Sequence, residues 1–195
     1  MPCESFFRDT LGVSDKELLQ ELSNGATLRS ISKGEHLMEM GDTQTKANFL
    51  VSGVVRCFSL DAEGRETTDC LISVPGSVLV PSADLSAPAP ATVEMLTDGE
   101  VVSVPIVLIT SLLETSLAAN HLYIRLLSAA WHSHFEIRRV VSQLRTRERY
   151  LWFLDAFPGL IERIPNKYVA SLLGMTPVTL SRLRSELREE KGARG

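Results

Sequence analysis

Gly174 is followed two residues later by Thr176-Pro177, so a signal that ends a helix and a signal that starts one stand almost back to back. A glycine accepts the positive φ that a sharp turn after a helix requires. A threonine caps free backbone N–H groups, and a proline sits comfortably in the first helical turn, where no donor is needed. Around this pair, Ala170 supplies a small residue where a second helix would cross the first, and Leu180 and Leu183 fall on the inner face against Val169 and Leu172 or Leu173. The expectation is a helix-turn-helix over residues 164–187. A helical hairpin of any kind can hold Ala, Gly and Leu at these offsets. The coincidence of cap, proline, outer face and local charge is what distinguishes this one.

That outer face reads Val178, Thr179, Ser181, Arg182, Ser185 and, at its margin, Arg184. Hydroxyls and guanidinium groups suit base edges and phosphates, and Val178 fits a thymine methyl. Charge agrees with this reading through its distribution and not through its total. Residues 145–195 hold ten Arg or Lys against six Asp or Glu, whereas residues 1–144 hold ten against eighteen. An acidic body with a basic C-terminal region is the pattern of a chain in which one module meets phosphates. The implied partner is double-stranded DNA. Arg182 is the first choice for a base contact, with Val178, Thr179 and Ser181 beside it. Lys167, Tyr168 and Arg184 are expected to position phosphates, and Thr176 completes the set at the helix start.

The rest of the chain divides by periodicity. Residues 4–23 read as short helical material, with Ser14 and Glu17 forming a capping box ahead of Leu18, Leu19 and Leu22, and Asn24-Gly25 ending it. From about Leu28 to Ile106, short runs of Val, Leu, Ile, Phe and Thr are separated by Gly, Pro, Asp and Ser, which is an all-β sandwich or barrel signal. Val54–Phe58 and Glu66–Ile72 flank Asp61-Ala62-Glu63-Gly64 as a hairpin, with Gly64 free to take positive φ. Residues 82–91 carry Pro88 and Pro90, which exclude a helix or central strand. This loop is either a connector or part of a pocket wall.

Beyond Pro105 the pattern is helical to about Arg147. Leu117, His121, Ile124, Leu127, Trp131, Phe135 and Arg138 recur at three- and four-residue steps on one stripe. Such a stripe needs cover, either from the β body or from its copy in a second subunit, and dimerisation is the favoured reading.

Cys3, Cys57 and Cys70 are odd in number and widely spaced, which suits reduced thiols and neither a disulfide framework nor a metal knuckle. No apolar run reaches the roughly 18 residues needed to span a bilayer, and no signal-peptide pattern opens the chain. The expected compartment is cytoplasmic, with no membrane partner.

The stretches Arg147–Leu151, Phe157-Pro158, Ile164–Pro177 and Leu180–Arg184 resemble the end of a CRP/FNR-superfamily regulator. Lys33–Leu37, Gly41-Asp42, Phe49–Arg56 and Asp61–Glu66 are similar to the glycine-punctuated strands of that superfamily's cyclic-nucleotide-binding-like β-roll. The resemblance covers nearly the whole chain. It implies an α+β fold with a β-roll sensor over 1–115, a long dimerisation helix over 116–147 and a helix-turn-helix DNA-binding domain over 148–195. It also implies a homodimer whose recognition helices read half-sites ~34 Å apart. A small-molecule effector and contact with RNA polymerase follow from the same resemblance.

The departures narrow this. Where cyclic-nucleotide binders of the superfamily have Gly-Glu for the ribose, this chain has Val80-Pro81, and the phosphate-binding arginine position falls near Ala89, ahead of Ala91-Thr92. A cyclic phosphate buried without its arginine would stay uncompensated, so cyclic AMP is not the expected effector. Val80, Pro81, Ser82, Ala91 and Thr92 are the candidate effector-pocket residues. The oxygen-sensing branch has a close N-terminal cysteine cluster, absent here. His132 and His134 point roughly 200° apart on a helix and cannot share a metal. No metal, cofactor or catalytic residue is expected. The recognition helix has Pro177-Val178 where many members place Arg-Glu, so only Arg182 matches the familiar pattern. Eight residues follow Leu187, too few for a β-wing.

Two rivals stand beside this reading. One is a ligand-sensing module that acts through protein contacts and has lost DNA affinity. The other is a small β-barrel metalloenzyme, for which His36 is the one ligand on a strand. Steep salt dependence of DNA binding separates the first from a DNA reader.

Overall fold

The computed structural model describes residues 3–192. A helical turn, α1 (Cys3–Ser5), runs into a π-turn at Phe6–Thr10, and α2 (Lys16–Gly25) follows. The cap of α2 is Asp15 and not Ser14: the Asp15 carboxylate accepts from Leu18 N at 2.9 Å, which moves the start one residue along.

Seven strands then form two antiparallel sheets. β1 (Thr27–Ile31), β7 (Gly99–Pro105) and β3 (Lys46–Ser52) make the first, in the order β1-β7-β3. β2 (His36–Met38), β6 (Thr92–Met95), β4 (Val55–Leu60) and β5 (Glu66–Ile72) make the second, in the order β2-β6-β4-β5. The β4–β5 hairpin turns through Asp61–Gly64 with Gly64 at φ 76°, as its sequence requires, and a bulge falls between Cys57 and Phe58. Residues 82–91 are irregular, pinned by a single bridge from Pro88 to Thr43.

Pro105 sets the start of α3 (Ile106–Thr115), but the helical run does not continue unbroken. Ser116 leaves helical geometry at φ −120° and ψ 117°, and its hydroxyl accepts from Ala119 N at 3.2 Å to cap α4 (Leu117–Gln143). Serine competes with the helix for its own backbone groups, which makes it a natural break and a natural cap. α4 is about 40 Å long at 1.5 Å per residue. It buries Ala119, Ile137 and Val140 against the body while Leu117, Ile124, Trp131 and Phe135 remain 72%, 59%, 76% and 58% exposed. Of the two expected covers for the stripe, the roll therefore does not supply one for these four residues.

Three helices complete the fold: α5 (Thr146–Ala156), α6 (Asn166–Leu172) and α7 (Pro177–Gly192), with a 3-10 turn at Leu160–Glu162. The architecture is α+β, a β-roll followed by a long helix and a helical C-terminal unit. Its cores cross those boundaries. One apolar cluster gathers Phe6, Phe7, Phe49, Val102, Val104 and Ala119. The other runs from Leu50, Val93 and Met95 in the roll through Ile137 to Phe153, Leu173 and Leu180. The C-terminal unit thus shares a core with the second sheet.

Candidate nucleic-acid interface and its adjoining cavity

The helix-turn-helix forms as its sequence dictates. α6 ends at Leu172, Gly174 takes φ 61°, and Met175 N donates to Ala170 O at 2.9 Å. A Cβ on Gly174 would lie 3.2 Å from Val141 and 3.3 Å from the Arg149 guanidinium, so both dihedral and space favour glycine. Arg149 braces the turn by donating to Leu173 O at 3.0 Å and to Leu144 O at 2.8 Å, joining it to the end of α4. Thr176 Oγ1 accepts from Thr179 N at 3.1 Å, and α7 begins at Pro177. Val169, Ala170, Leu172, Leu173 and Leu180 are buried between the two helices.

The outward face of α7 is then Val178, Ser181, Arg182, Ser185 and Arg188, all exposed. Arg188 extends the expected set. It continues the three- and four-residue spacing by one more step, and that spacing was the signal available in the sequence. Thr176 and Thr179 are half spent on the cap, their hydroxyls 2.9 Å apart. Lys167 is exposed, its Nζ 4.7 Å over the Tyr168 ring. Arg184 is drawn inward instead: it donates to Asn166 Oδ1 at 2.6 Å and to Glu162 Oε1 at 3.0 Å, bracing α7 against the start of α6.

Tyr168 also turns toward the roll. Its ring lies 4.1 Å from the Arg56 guanidinium, which stacks on Phe58 at 4.2 Å on its other side. Arg56 is buried and donates to Thr68 Oγ1 at 2.9 Å, Glu66 at 2.7 Å and Glu94 at 3.3 Å. Alongside, Ser171 Oγ accepts from Thr68 N at 2.9 Å on edge strand β5. α6 is thereby fastened to β4 and β5 by a cation between two rings and by a hydroxyl on a free strand N–H. No local pattern signals this contact.

On the opposite face of the same hairpin lies a cavity of about 650 Å³ between roll, α4 and Phe157 of the C-terminal unit. Val80, Pro81 and Ala91 line it. Ser82 does not; with Val80 it lines a separate apolar cavity of about 90 Å³ that also meets Leu122 and Leu127. Thr92 lines neither, because its hydroxyl accepts from Met40 N at 3.1 Å inside the sheet. Cys57, Cys70, Asp69 and His134 also face the larger space. Cys57 and Cys70 stand directly opposite each other across the β4–β5 ladder, a pairing that their wide sequence spacing hid.

Residues 28–116 match the family model described as the cyclic nucleotide-binding domain. No relative among curated proteins matches the chain. Among solved structures, FixK2 from Bradyrhizobium japonicum aligns at TM-score 0.74 and 19% identity, over 85% of this chain and 86% of that one. The c-di-GMP-responsive global regulator CLP of Xanthomonas campestris aligns at 0.72 and 14%, over 91% and 93%. A CRP-family transcriptional regulator from Thermus thermophilus aligns at 0.66 and 18%, over 84% and 85%. The chain therefore shares the fold of these structures.

The larger cavity has no Lys or Arg among its lining residues; Asp69 and His134 are the charged or titratable groups there besides the two cysteines. A cyclic phosphate placed in it would meet no guanidinium. Among the described residues, no group of three or more His, Cys, Asp or Glu is arranged to hold a metal, and no helix is long and apolar enough to cross a membrane.

Proposed function

We propose that this protein is a sequence-specific DNA-binding transcriptional regulator that acts as a homodimer and responds to a small molecule other than cyclic AMP. The observation that carries the reading is the face of α7. Leu180 is fully buried, so the helix is held by its inner side while Val178, Ser181, Arg182, Ser185 and Arg188 point to solvent from a capped N-terminus. A helix held in this way can enter a major groove without rearrangement. Arg182 is assigned the principal base contact, Val178 and Ser181 flank it, and Lys167 and the α7 N-terminus with Thr176 and Thr179 meet phosphate. Tyr168 and Arg184 are assigned to holding the hairpin in place.

Dimerisation falls to α4, whose exposed Leu117, Ile124 and Trp131 repeat every seven residues, with Phe135 beside them. That is the spacing of a helix pair. The effector is assigned to the 650 Å³ cavity, which touches roll, α4 and Phe157 at once and so reaches every part that must move together.

The test is selection of bound genomic fragments by the purified full-length protein, followed by titration of the selected site from low to physiological salt. A regulator enriches a two-fold symmetric site and loses affinity steeply as salt rises, because phosphate contacts release counterions. Recovery of fragments with no shared sequence, or affinity insensitive to salt, excludes the assignment.

A further inference from the structure

The cavity holds chemistry that effector binding alone does not use. Side chains alternate along β4: Arg56 and Phe58 face Tyr168, whereas Cys57 and Ser59 line the cavity. Cys70 is paired with Cys57 in the antiparallel register. Directly opposed residues of such a ladder lie within the Cα span that a disulfide accepts. Cys57, Cys70 and His134, which reaches over from α4, line the same cavity. Asp69, next to Cys70, is bonded to Ser59 Oγ at 3.5 Å. A nucleophile, a second thiol, an imidazole and a space for a small reactant thus meet at one point.

We propose that Cys70 is the nucleophile of a dithiol site that reduces a hydroperoxide admitted to the cavity and closes to a Cys57–Cys70 disulfide. The Cys70 thiolate attacks one peroxide oxygen. The S–O bond forms as the O–O bond breaks, and the departing alkoxide or hydroxide takes a proton from the His134 imidazolium. Cys57 then attacks the Cys70 sulfur; the S–S bond forms, the S–O bond breaks, and the hydroxyl leaves with the Cys57 proton as water. Two thiols and one hydroperoxide become one disulfide, one alcohol or water from the peroxide, and one further water.

The electrostatics assign the roles. The hydrogen bond from Cys57, with the bond and charge of His134, holds the Cys70 thiol below its ordinary range, and the same contact with Cys70 followed by burial raises Cys57. The bond to Cys70 raises His134 in turn. Cys70 is the thiolate and Cys57 the resolving thiol. Cys3, by contrast, packs against the other apolar cluster, away from the cavity lining, and serves as an internal control.

The experiment exposes reduced full-length protein to equimolar hydrogen peroxide and, separately, tert-butyl hydroperoxide, and reads intact mass and a non-reducing peptide map. The expected result is a loss of about 2 Da with a Cys57–Cys70 linked peptide pair; Cys57→Ser instead gains about 16 Da and is captured by a sulfenic-acid probe at Cys70. Cys57 and Cys70 remaining reduced under conditions that oxidise Cys3 overturn the proposal. So does a linkage through Cys3, or sulfenic acid trapped on Cys57 in a Cys70→Ser variant at the rate seen for Cys70. The wild-type map needs no variant to fold, and none of these readouts depends on DNA binding.

Discussion

α4 and α7 each leave one face uncovered, and the two faces could hardly differ more. On α4 the uncovered side chains are Leu117, Ile124, Trp131 and Phe135, and on α7 they are Val178, Ser181, Arg182, Ser185 and Arg188. Water tolerates the second set with little penalty, since Val178 is its one apolar member. It does not tolerate the first: each large apolar side chain left exposed forgoes ~1.5–3 kcal/mol of burial. Exposure on α4 therefore suits a dry, shape-matched partner, and the seven-residue repeat supports the proposed second copy of the same helix. Exposure on α7 suits the proposed wet, anionic partner that accepts hydrogen bonds. The two faces thus support different classes of partner through side-chain chemistry alone.

The sharpest way to break this contrast is to give the α4 face the character of an acidic surface. Ile124→Glu with Trp131→Glu should leave the isolated fold intact, since both side chains stand in solvent, and should convert dimer to monomer in sedimentation. A monomer reads one half-site, and losing the second contact lowers operator affinity by about 10²–10⁴-fold. A dimer of unchanged mass in the double variant would show that the stripe is not the interface.

Arg182→Ala strikes the other face. A guanidinium bidentate to guanine discriminates by ~1–3 kcal/mol, so affinity for the selected site should fall by that amount for each half-site and base preference relax at one position in each, with the oligomeric state untouched. Unchanged affinity and unchanged preference remove Arg182 from the reading set. Gly174→Ala acts one step earlier, on the turn that orients α7. Positive φ costs a non-glycine residue roughly 1–2 kcal/mol, with added crowding against Val141 and Arg149. The expected result is a melting temperature lower by a few degrees, about 2–4 °C per kcal/mol for a chain of this size. A variant as stable as the parent would mean that the turn relaxes elsewhere.

These features were not equally legible in the sequence. The helix-turn-helix could be read because its determinants are local: Gly174, Thr176, Pro177 and Leu180 each act within one or two helical turns. The β4–β5 hairpin could be read for the same reason. The α2 cap was misplaced by one residue, since Ser14 and Asp15 are adjacent residues that both cap well, and only geometry chooses Asp15. Periodicity alone does not show the break at Ser116, because a serine inside an apolar helical pattern reads equally as surface; only the resemblance places a boundary there. The bond from Met40 N to the Thr92 hydroxyl joins two segments distant in sequence and has no local signal. Contacts between distant segments had no sequence signal at all: Arg56 with Tyr168, and His134 with Cys70. Cys57 with Cys70 is intermediate: the hairpin brings β4 and β5 together, but the register leaving the turn would set Cys57 opposite Asp69, and only the bulge after Cys57 pairs it with Cys70.

The finest test of the contrast compares two cations that flank the recognition helix. Lys167 stands free in solvent over Tyr168, and Arg184 is engaged by Asn166 and Glu162. A phosphate contact carries no sequence information, so Lys167→Ala should weaken all sites alike, by less than the loss of Arg182, and reduce the slope of log affinity against log salt by about one per protomer. Arg184→Ala should leave that slope unchanged and register in stability, because the bonds it loses hold α7 to the start of α6. If Arg184 instead changes the salt slope and Lys167 does not, the phosphate-facing edge of the hairpin lies on the Arg184 side, and α7 docks rotated from the orientation its exposed residues define.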